Sequence, residues 1–269
     1  MTNFYTVIVS LFLILCTGYA WSGDYQKGLK AYKSADYFTA LQEWTPLAEQ
    51  GQMKVQYELG LMYMNGLGVP TDYEAALKWY TLSAKQGFAN SQSNLGLMYE
   101  SGQGVPQNFK IAVKWYTLAA EQGFANAQHN LGFSYHNGRG VPVNYQLALK
   151  WYTAAAKAGN AFSQHNLGYM YENGHGAALD YETAAKWYRR AAENGHSPSQ
   201  LNLGVLYYKG HGFSRNLVTA QMWFILAALN GNKIAKKNTK VLGDQMNSSD
   251  LRKADKLAQQ CLMRQNKDC

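Results

Sequence analysis

The stretch NLGLMYESGQGVP, residues 94–106, decides the fold because the chain contains it five times in related forms. The other copies begin at Glu58, Asn130, Asn166 and Asn202. A Leu-Gly pair and a tryptophan each recur every 36 residues, and no insertion breaks this spacing between residues 53 and 232. A fixed period in this range indicates a repeat architecture, in which stacked units bury a shared core.

Each repeat is predicted to contain two helices joined by a glycine turn. In the third repeat, Leu131 and Tyr135 are four residues apart and share one face of a first helix. The run from Gly138 to Pro142 ends that helix, because glycine tolerates a left-handed backbone and proline cannot continue a helix. Asn144 is the predicted N-cap of the second helix. The Gly-x-Gly therefore follows a helix rather than a strand, and it does not predict a dinucleotide-binding loop.

Two positions of the repeat predict how its helices pack. Gly132 lies inside the first helix, where glycine costs about 1 kcal/mol relative to alanine. Because every repeat accepts this cost, we expect a neighbouring helix to pack too closely there for a side chain. Trp151 recurs on the second helix among small alanines, so it is predicted to be buried, and Trp151→Ala is expected to cost about 3–5 kcal/mol.

Residues 1–20 carry no charged side chain and are predicted to be a secretory signal peptide. The apolar run from Val7 to Cys16 is too short to span a bilayer as a helix, and small residues precede a cleavage position after Ala20. A lipoprotein signal at Cys16 is one alternative, although Leu15 is larger than lipid attachment normally accepts. An uncleaved anchor is the other. The expected protein is exported, either periplasmic or secreted.

The C-terminal segment contains the two cysteines that remain if residues 1–20 are removed, Cys261 and Cys269. In an exported chain this pair predicts a disulfide, with two free thiols as the alternative. Residues 233–269 carry nine Lys and Arg against four Asp, so they contribute +5 of the net charge of +8. Such a segment attracts anionic surfaces or nucleic acid. Because an exported protein rarely meets nucleic acid, we expect no nucleic-acid partner, and membrane association is allowed but not required.

The repeated pattern AQxNLGxxYxxGxGVxxxYxxAxxWYxxAAxxG resembles the Sel1-like repeat, a relative of the tetratricopeptide repeat. This resemblance implies an all-α fold, a right-handed α-solenoid of stacked helix-turn-helix units with a C-terminal capping helix. The implied units are 53–88, 89–124, 125–160, 161–196 and 197–232, preceded by a degenerate tetratricopeptide-like unit at 21–52 and followed by a basic cap at 233–269.

The two ends of the chain depart from the repeat pattern. The N-terminal unit has Gly28 in place of the helical glycine, but its Trp44 comes one position later than the repeat tryptophan. The tail from Lys233 lacks Leu-Gly, as expected of a cap with a polar outer face. Ser248 or Ser249 is the expected N-cap of the last helix.

The resemblance also implies a function, namely a non-enzymatic scaffold that binds a protein or peptide without a cofactor. Cysteine-rich members of the family are associated with β-lactam binding or hydrolysis. The repeats of this chain contain no cysteine, so that activity does not carry over. Two alternatives remain: a hydrolase of cell-wall or β-lactam compounds, and an envelope structural protein or regulator of a membrane signalling system.

By the same resemblance, the first helices are expected to line the concave face and to bind the partner there. The expected contact positions lie three residues before, one after and four after each repeat glycine, and are partly exposed. They are Tyr57, Leu61, Met64, Ser93, Leu97, Glu100, His129, Phe133, His136, His165, Tyr169, Glu172, Leu201, Val205 and Tyr208. Aromatic side chains at such positions are suitable anchors for a helix or an extended segment.

The histidines raise two further possibilities. His129, His136 and His165 are about 10 Å apart by helical and repeat spacing, which is too far for a shared zinc ion, so no metal site is expected. Because histidine titrates near pH 6.5, the groove is expected to respond to pH between 5.5 and 7.5. The other three histidines, His175, His196 and His211, fall in predicted turns and are expected to be solvated.

Overall fold

The computed structural model describes residues 23–267 and 269, and across these residues the chain is helical with no β-strand. The predicted signal peptide, residues 1–20, lies outside the described residues. The helices are α1 Tyr25–Lys33, α2 Tyr37–Glu49, α3 Met53–Asn65, α4 Tyr73–Lys85, α5 Ala89–Ser101, α6 Phe109–Glu121, α7 Ala125–Asn137, α8 Tyr145–Lys157, α9 Ala161–Asn173, α10 Tyr181–Ala192, α11 Ser197–Lys209, α12 Leu217–Leu229, α13 Lys233–Gly243 and α14 Ser248–Met263.

Helices that follow each other in the chain pack against each other from α1 to α13, and α14 packs on α12. Each 36-residue repeat contributes one first helix (α3, α5, α7, α9 or α11) and one second helix (α4, α6, α8, α10 or α12). This arrangement confirms the predicted all-α solenoid. No helix in the described part of the chain combines the length and the apolar character that a membrane span requires.

A glycine and an aromatic ring hold the two helices of each repeat together. A Cβ added at Gly132 would lie 2.7 Å from Cδ1 of Tyr152, so the first helix approaches this ring as closely as its backbone allows. The predicted close approach is confirmed, and its cause is a buried side chain of the second helix in the same repeat. The other repeats contain the same pairing: Gly60 with Tyr80, Gly96 with Tyr116, Gly168 with Tyr188 and Gly204 with Phe224.

The ring that packs on the repeat glycine belongs to the residue that follows the repeat tryptophan. This finding corrects two expectations. Tyr152 is 1% exposed whereas Trp151 is only half-buried, so Trp151 is not the buried anchor of its repeat. In the N-terminal unit, Trp44 packs over Gly28 and lies 36 residues before Tyr80. Trp44 is therefore in register with the repeat tyrosine and is not a displaced repeat tryptophan.

The glycine turns serve two purposes. Gly102 ends α5 with a φ of 74°, and Gly104 follows with a φ of 70°. A Cβ at Gly104 would lie 2.6 Å from the carbonyl oxygen of Tyr73, so the turn of one repeat rests on the second helix of the preceding repeat. The predicted glycine turn between helices is confirmed, and it also forms part of the contact between repeats.

Side-chain caps begin the second helices. Asn144 accepts a hydrogen bond from the backbone N–H of Leu147 at 2.9 Å, as predicted. The expectation for the last helix was wrong, because Asn247 is the N-cap of α14 and accepts from the N–H of Asp250 at 2.9 Å. Ser248 is already the first helical residue.

The C-terminus is attached to the core of the last repeats. Cys261 is 3% exposed and belongs to a hydrophobic cluster that includes Tyr188 and Leu203. Its Cα lies 5.4 Å from that of Cys269, and the two sulfurs are at bonding distance. Nζ of Lys267 also donates to Oδ1 of Asn194 at 3.0 Å, which places the chain end beside the fourth repeat.

Candidate partner-binding surface

The fifteen predicted contact residues lie on the first helices of the five repeats, and we call them the first-helix surface. All but one are partly or largely exposed. The exception is Ser93, which is 1% exposed, so its expected accessibility was wrong. The larger side chains of His129 and His165 at the equivalent positions are partly buried.

Four predicted residues of the third and fourth repeats come together around one cavity, which we call the histidine cavity. Its volume is about 300 Å³. The lining residues are Phe133, His136, Asn137, Tyr152, His165, Asn166 and Tyr169. Sequence reasoning missed both asparagines and Tyr152, because it selected only the positions three before, one after and four after each repeat glycine.

Aromatic rings from consecutive repeats continue outward from the histidine cavity. The ring of His136 lies 6.0 Å from that of Tyr169 and 5.7 Å from that of His175, which stacks on Tyr145 at 4.5 Å. The turn histidine His175 is therefore packed among rings and is not simply solvated.

The same correction applies to the other two turn histidines. The ring of His196 lies 4.9 Å from that of His165, and the ring of His211 lies 4.3 Å from that of Tyr181. Both histidines therefore pack against a ring of a neighbouring helix and are not simply solvated.

Two histidines of the first-helix surface link consecutive repeats. Nδ1 of His129 lies 2.9 Å from the hydroxyl of Ser163, and Nδ1 of His165 lies 2.9 Å from that of Ser199. Burial lowers the pKa of each imidazole to about 4, because the charged form loses its hydration. Both rings therefore stay neutral between pH 5.5 and 7.5, and the expected pH response in that range is wrong for them.

Nowhere in the described residues do three or more His, Cys, Asp or Glu side chains group closely enough to hold a metal ion.

The two glutamates of the surface are held by buried tyrosines. The hydroxyl of Tyr188 donates to Oε2 of Glu172 at 2.7 Å, and the hydroxyl of Tyr116 donates to Glu100 in the same way. Arg139 lies 3.4 Å from Glu100 and places its guanidinium 4.9 Å from the ring centre of Phe133. These contacts fix the carboxylates at the edge of the surface rather than leaving them as free acidic groups.

A second cavity lies where α11, α12 and α13 meet, and we call it the C-terminal cavity. Its volume is about 260 Å³. The lining residues are Val205, Tyr208, Lys209, Phe224, Asn238, Val241, Leu242 and Gln245. Val205 and Tyr208 were predicted. The residues from α13 onward were missed because that helix lacks the Leu-Gly signal.

Comparison with known proteins gives a consistent assignment. The family model of the Sel1 repeat matches residues 54–88, 89–124, 125–160, 161–196 and 197–232. A search of curated protein sequences finds no match.

Two solved structures are similar to this chain along most of its length. A Sel1 repeat protein from Oxalobacter formigenes is 35% identical, with a TM-score of 0.78, over 88% of this chain and 99% of that chain. A protective antigen present in uropathogenic Escherichia coli strains, with an SLR fold, is also 35% identical, with a TM-score of 0.80, over 93% of this chain. The match covers 56% of the Escherichia coli protein, so the chain spans just over half of that relative. From the repeats, the helix pairing and these matches, the chain belongs to the Sel1 repeat family.

Proposed function

We propose that this protein is an exported scaffold that binds a protein or peptide partner on its first-helix surface. Proteins built from Sel1 repeats generally act as protein-interaction scaffolds, and the fold is typically that of a non-enzymatic protein. The observation that carries the proposal is the histidine cavity. It combines aromatic rings with polar groups on one accessible surface, and Tyr169 at its edge is 41% exposed.

The chemistry of this surface is suited to a peptide. Phe133 and Tyr169 offer aromatic contact area at little cost in conformational entropy. Asn137 and Asn166 each present an amide, which can both donate and accept hydrogen bonds. A main chain with its N–H and C=O groups, carrying one apolar side chain, matches this combination.

Export is part of the proposal and is supported by two separate arguments. Residues 1–20 have the features of a secretory signal. The similarity to a protective antigen of uropathogenic Escherichia coli agrees with a location outside the cytoplasm. Antibody detection in periplasmic and culture fractions of the producing cell would test this, and a signal found only in the cytoplasm would contradict it.

The binding proposal is tested by affinity capture with the purified chain and with the double variant Phe133→Ala, Tyr169→Ala, using envelope and host-surface extracts. We expect a partner that the wild type retains and the folded double variant loses. The matched control is Leu118→Ala, which removes a 45% exposed apolar side chain from the second helix α6. A partner that is lost with Leu118→Ala and kept by the double variant would move the binding site away from the first-helix surface.

A further inference from the structure

The C-terminal cavity and the histidine cavity occupy equivalent places in the solenoid. Val205 lies 72 residues after Phe133, and Tyr208 lies 72 residues after His136, which is two repeat lengths in each case. Across the cavity, Val241 lies 72 residues after Tyr169. The helix α13 therefore takes the place of a sixth first helix, and the first-helix surface extends one step beyond the last repeat.

The C-terminal cavity differs from its equivalent in its apolar lining. Val205 and Val241 stand where the histidine cavity has Phe133 and Tyr169, and Phe224 stands where it has Tyr152. Leu242 adds a further apolar side chain to the lining. Phe224 is 3% exposed, so it forms the floor, whereas Val241 at the rim is 50% exposed. A volume of about 260 Å³ lies below the about 300–1,000 Å³ of pockets for drug-sized ligands, which suits one large apolar side chain.

Positive charge surrounds this apolar lining. Lys209 lines the cavity, and the guanidinium of Arg215 lies 5.2 Å from the ring centre of Tyr208. Lys237 lies 72 residues after His165, which lines the equivalent cavity, and one helical turn before Val241. The helix α13 contains four lysines and no acidic residue; Asp244 follows it as the C-cap. The cations therefore outnumber the carboxylates at this end of the surface.

We propose that the C-terminal cavity binds an acidic peptide by receiving one of its large apolar side chains, while Lys209, Arg215 and Lys237 attract the neighbouring carboxylates. The inference deepens the proposed function and rests on it, because the cavity continues the same first-helix surface. Apolar insertion supplies most of the affinity, and the surrounding cations select acidic over neutral or basic sequences. The amides of Asn238 and Gln245 at the cavity edge are available to the peptide main chain.

The test uses three fluorescein-labelled peptides, EELFEE, KKLFKK and EEGGEE, with fluorescence anisotropy on the purified chain. We expect EELFEE to bind at least about tenfold more tightly than either other peptide, and its affinity to fall as salt is raised. Equal affinity for EELFEE and KKLFKK would overturn the charge selection. Equal affinity for EELFEE and EEGGEE would overturn the apolar insertion.

Two variants locate the binding. Lys209→Glu reverses an exposed charge, and Val241→Asp places a carboxylate at the apolar rim; each is expected to weaken EELFEE binding at least about tenfold. Lys157→Glu, an exposed charge reversal at the end of α8, is the matched control and should leave the affinity unchanged. Circular dichroism establishes that each variant is folded. Unchanged affinity in both cavity variants would overturn the assignment to this cavity.

Two further measurements distinguish the binding of an acidic peptide in this cavity from membrane contact and from partner binding at the histidine cavity. The competing partner is a membrane, and vesicles containing anionic lipid are its probe. If EELFEE does not bind, and if the protein binds these vesicles and Lys209→Glu abolishes that binding, the cavity region is a membrane-contact surface and the peptide inference is wrong. A captured partner that depends on Phe133 and Tyr169 but not on Lys209 would leave the proposed function standing and would overturn the inference alone.

Discussion

The side-chain amide of Gln122 donates a hydrogen bond to Oε1 of Gln92 at 2.7 Å, and Gln92 in turn donates to the backbone carbonyl of Ala84 at 3.2 Å. These two bonds join the end of the repeat that contains Gln92 to the second helix of the preceding repeat. Because Gln92 is 4% exposed, both bonds are shielded from water. Gln56, Gln128, Gln164 and Gln200 make the same bond to the preceding unit. A column of buried glutamines therefore links every repeat to its neighbour.

One member of this column lacks its second partner. The residue equivalent to Gln122 in the third repeat is Ala158, and Oε1 of Gln128 is buried without a hydrogen-bond partner among the described residues. The backbone is already suitable, since Ala158 has φ −80° and ψ 7° and Gln122 has φ −80° and ψ 0°. We expect Ala158→Gln to stabilise the protein by about 1 kcal/mol, measured as a shift of the chemical denaturation midpoint.

Ala158→Met is the matched control, because methionine has nearly the length of glutamine but donates no hydrogen bond. It should leave the midpoint unchanged or lower it slightly. If Ala158→Gln and Ala158→Met shift the midpoint equally, the gain comes from side-chain packing and not from satisfying Gln128.

The contact between Gly132 and Tyr152 predicts that Gly132→Ala changes stability in opposite directions with and without the tyrosine ring. Gly132→Ala improves helix propensity by about 1 kcal/mol, but its Cβ would lie 2.7 Å from the tyrosine ring, and overpacking costs about 1–3 kcal/mol. We expect net destabilisation in the wild type and stabilisation in the Tyr152→Ala background, measured by denaturation of all four proteins. The same sign in both backgrounds would mean that the ring does not require glycine.

The adjacent aromatic residues Trp151 and Tyr152 should contribute unequally to the free energy of unfolding. Tyr152 is 1% exposed, so Tyr152→Ala is expected to cost about 3–5 kcal/mol. Trp151 is half-buried, with the ammonium of Lys150 5.0 Å from its ring centre, so Trp151→Ala should cost clearly less. Denaturation midpoints of the two single variants decide this, and an equal or larger loss for Trp151→Ala would reverse the ranking.

Sequence reasoning could reach the repeat, the helix pairs, the glycine turns and most of the first-helix surface, because these depend on the period of 36 residues. It could not predict which of Trp151 and Tyr152 is the more deeply buried. Both recur in the sequence, and only the rotation of the second helix about its axis decides which ring lies over Gly132.

The C-terminal cavity was missed for a different reason. In α13, Thr239 and Lys240 stand where the repeats have Leu-Gly, so the helix reads as a departure from the pattern. Its register nevertheless persists, since Ala235 lies 36 residues after the buried Ser199 and is itself buried. Small buried residues at that spacing were the signal that could have identified α13 as a continuation of the stack.

Burial of His129 and His165 predicts an acid-sensitive solenoid. Their pKa is about 4 in the folded protein and about 6.5 when unfolded, so the unfolded chain binds more protons between these values. Their contribution to stability is complete above pH 6.5 and is lost as the pH falls towards 4. At pH 5 the loss is about 2 kcal/mol for each histidine. We expect denaturation midpoints to fall between pH 7.5 and 5, a range that lies above the titration of most carboxylates.

The double variant His129→Gln, His165→Gln tests the cause, because glutamine fills similar space, can bond Ser163 and Ser199, and does not titrate. At pH 7.5 both imidazoles are neutral, so a difference from the wild type there measures packing and hydrogen bonding alone. Between pH 7.5 and 5 the double variant should lose less stability than the wild type, by about 4 kcal/mol for the pair. Parallel pH profiles for the two proteins would show that the acid sensitivity arises from other groups.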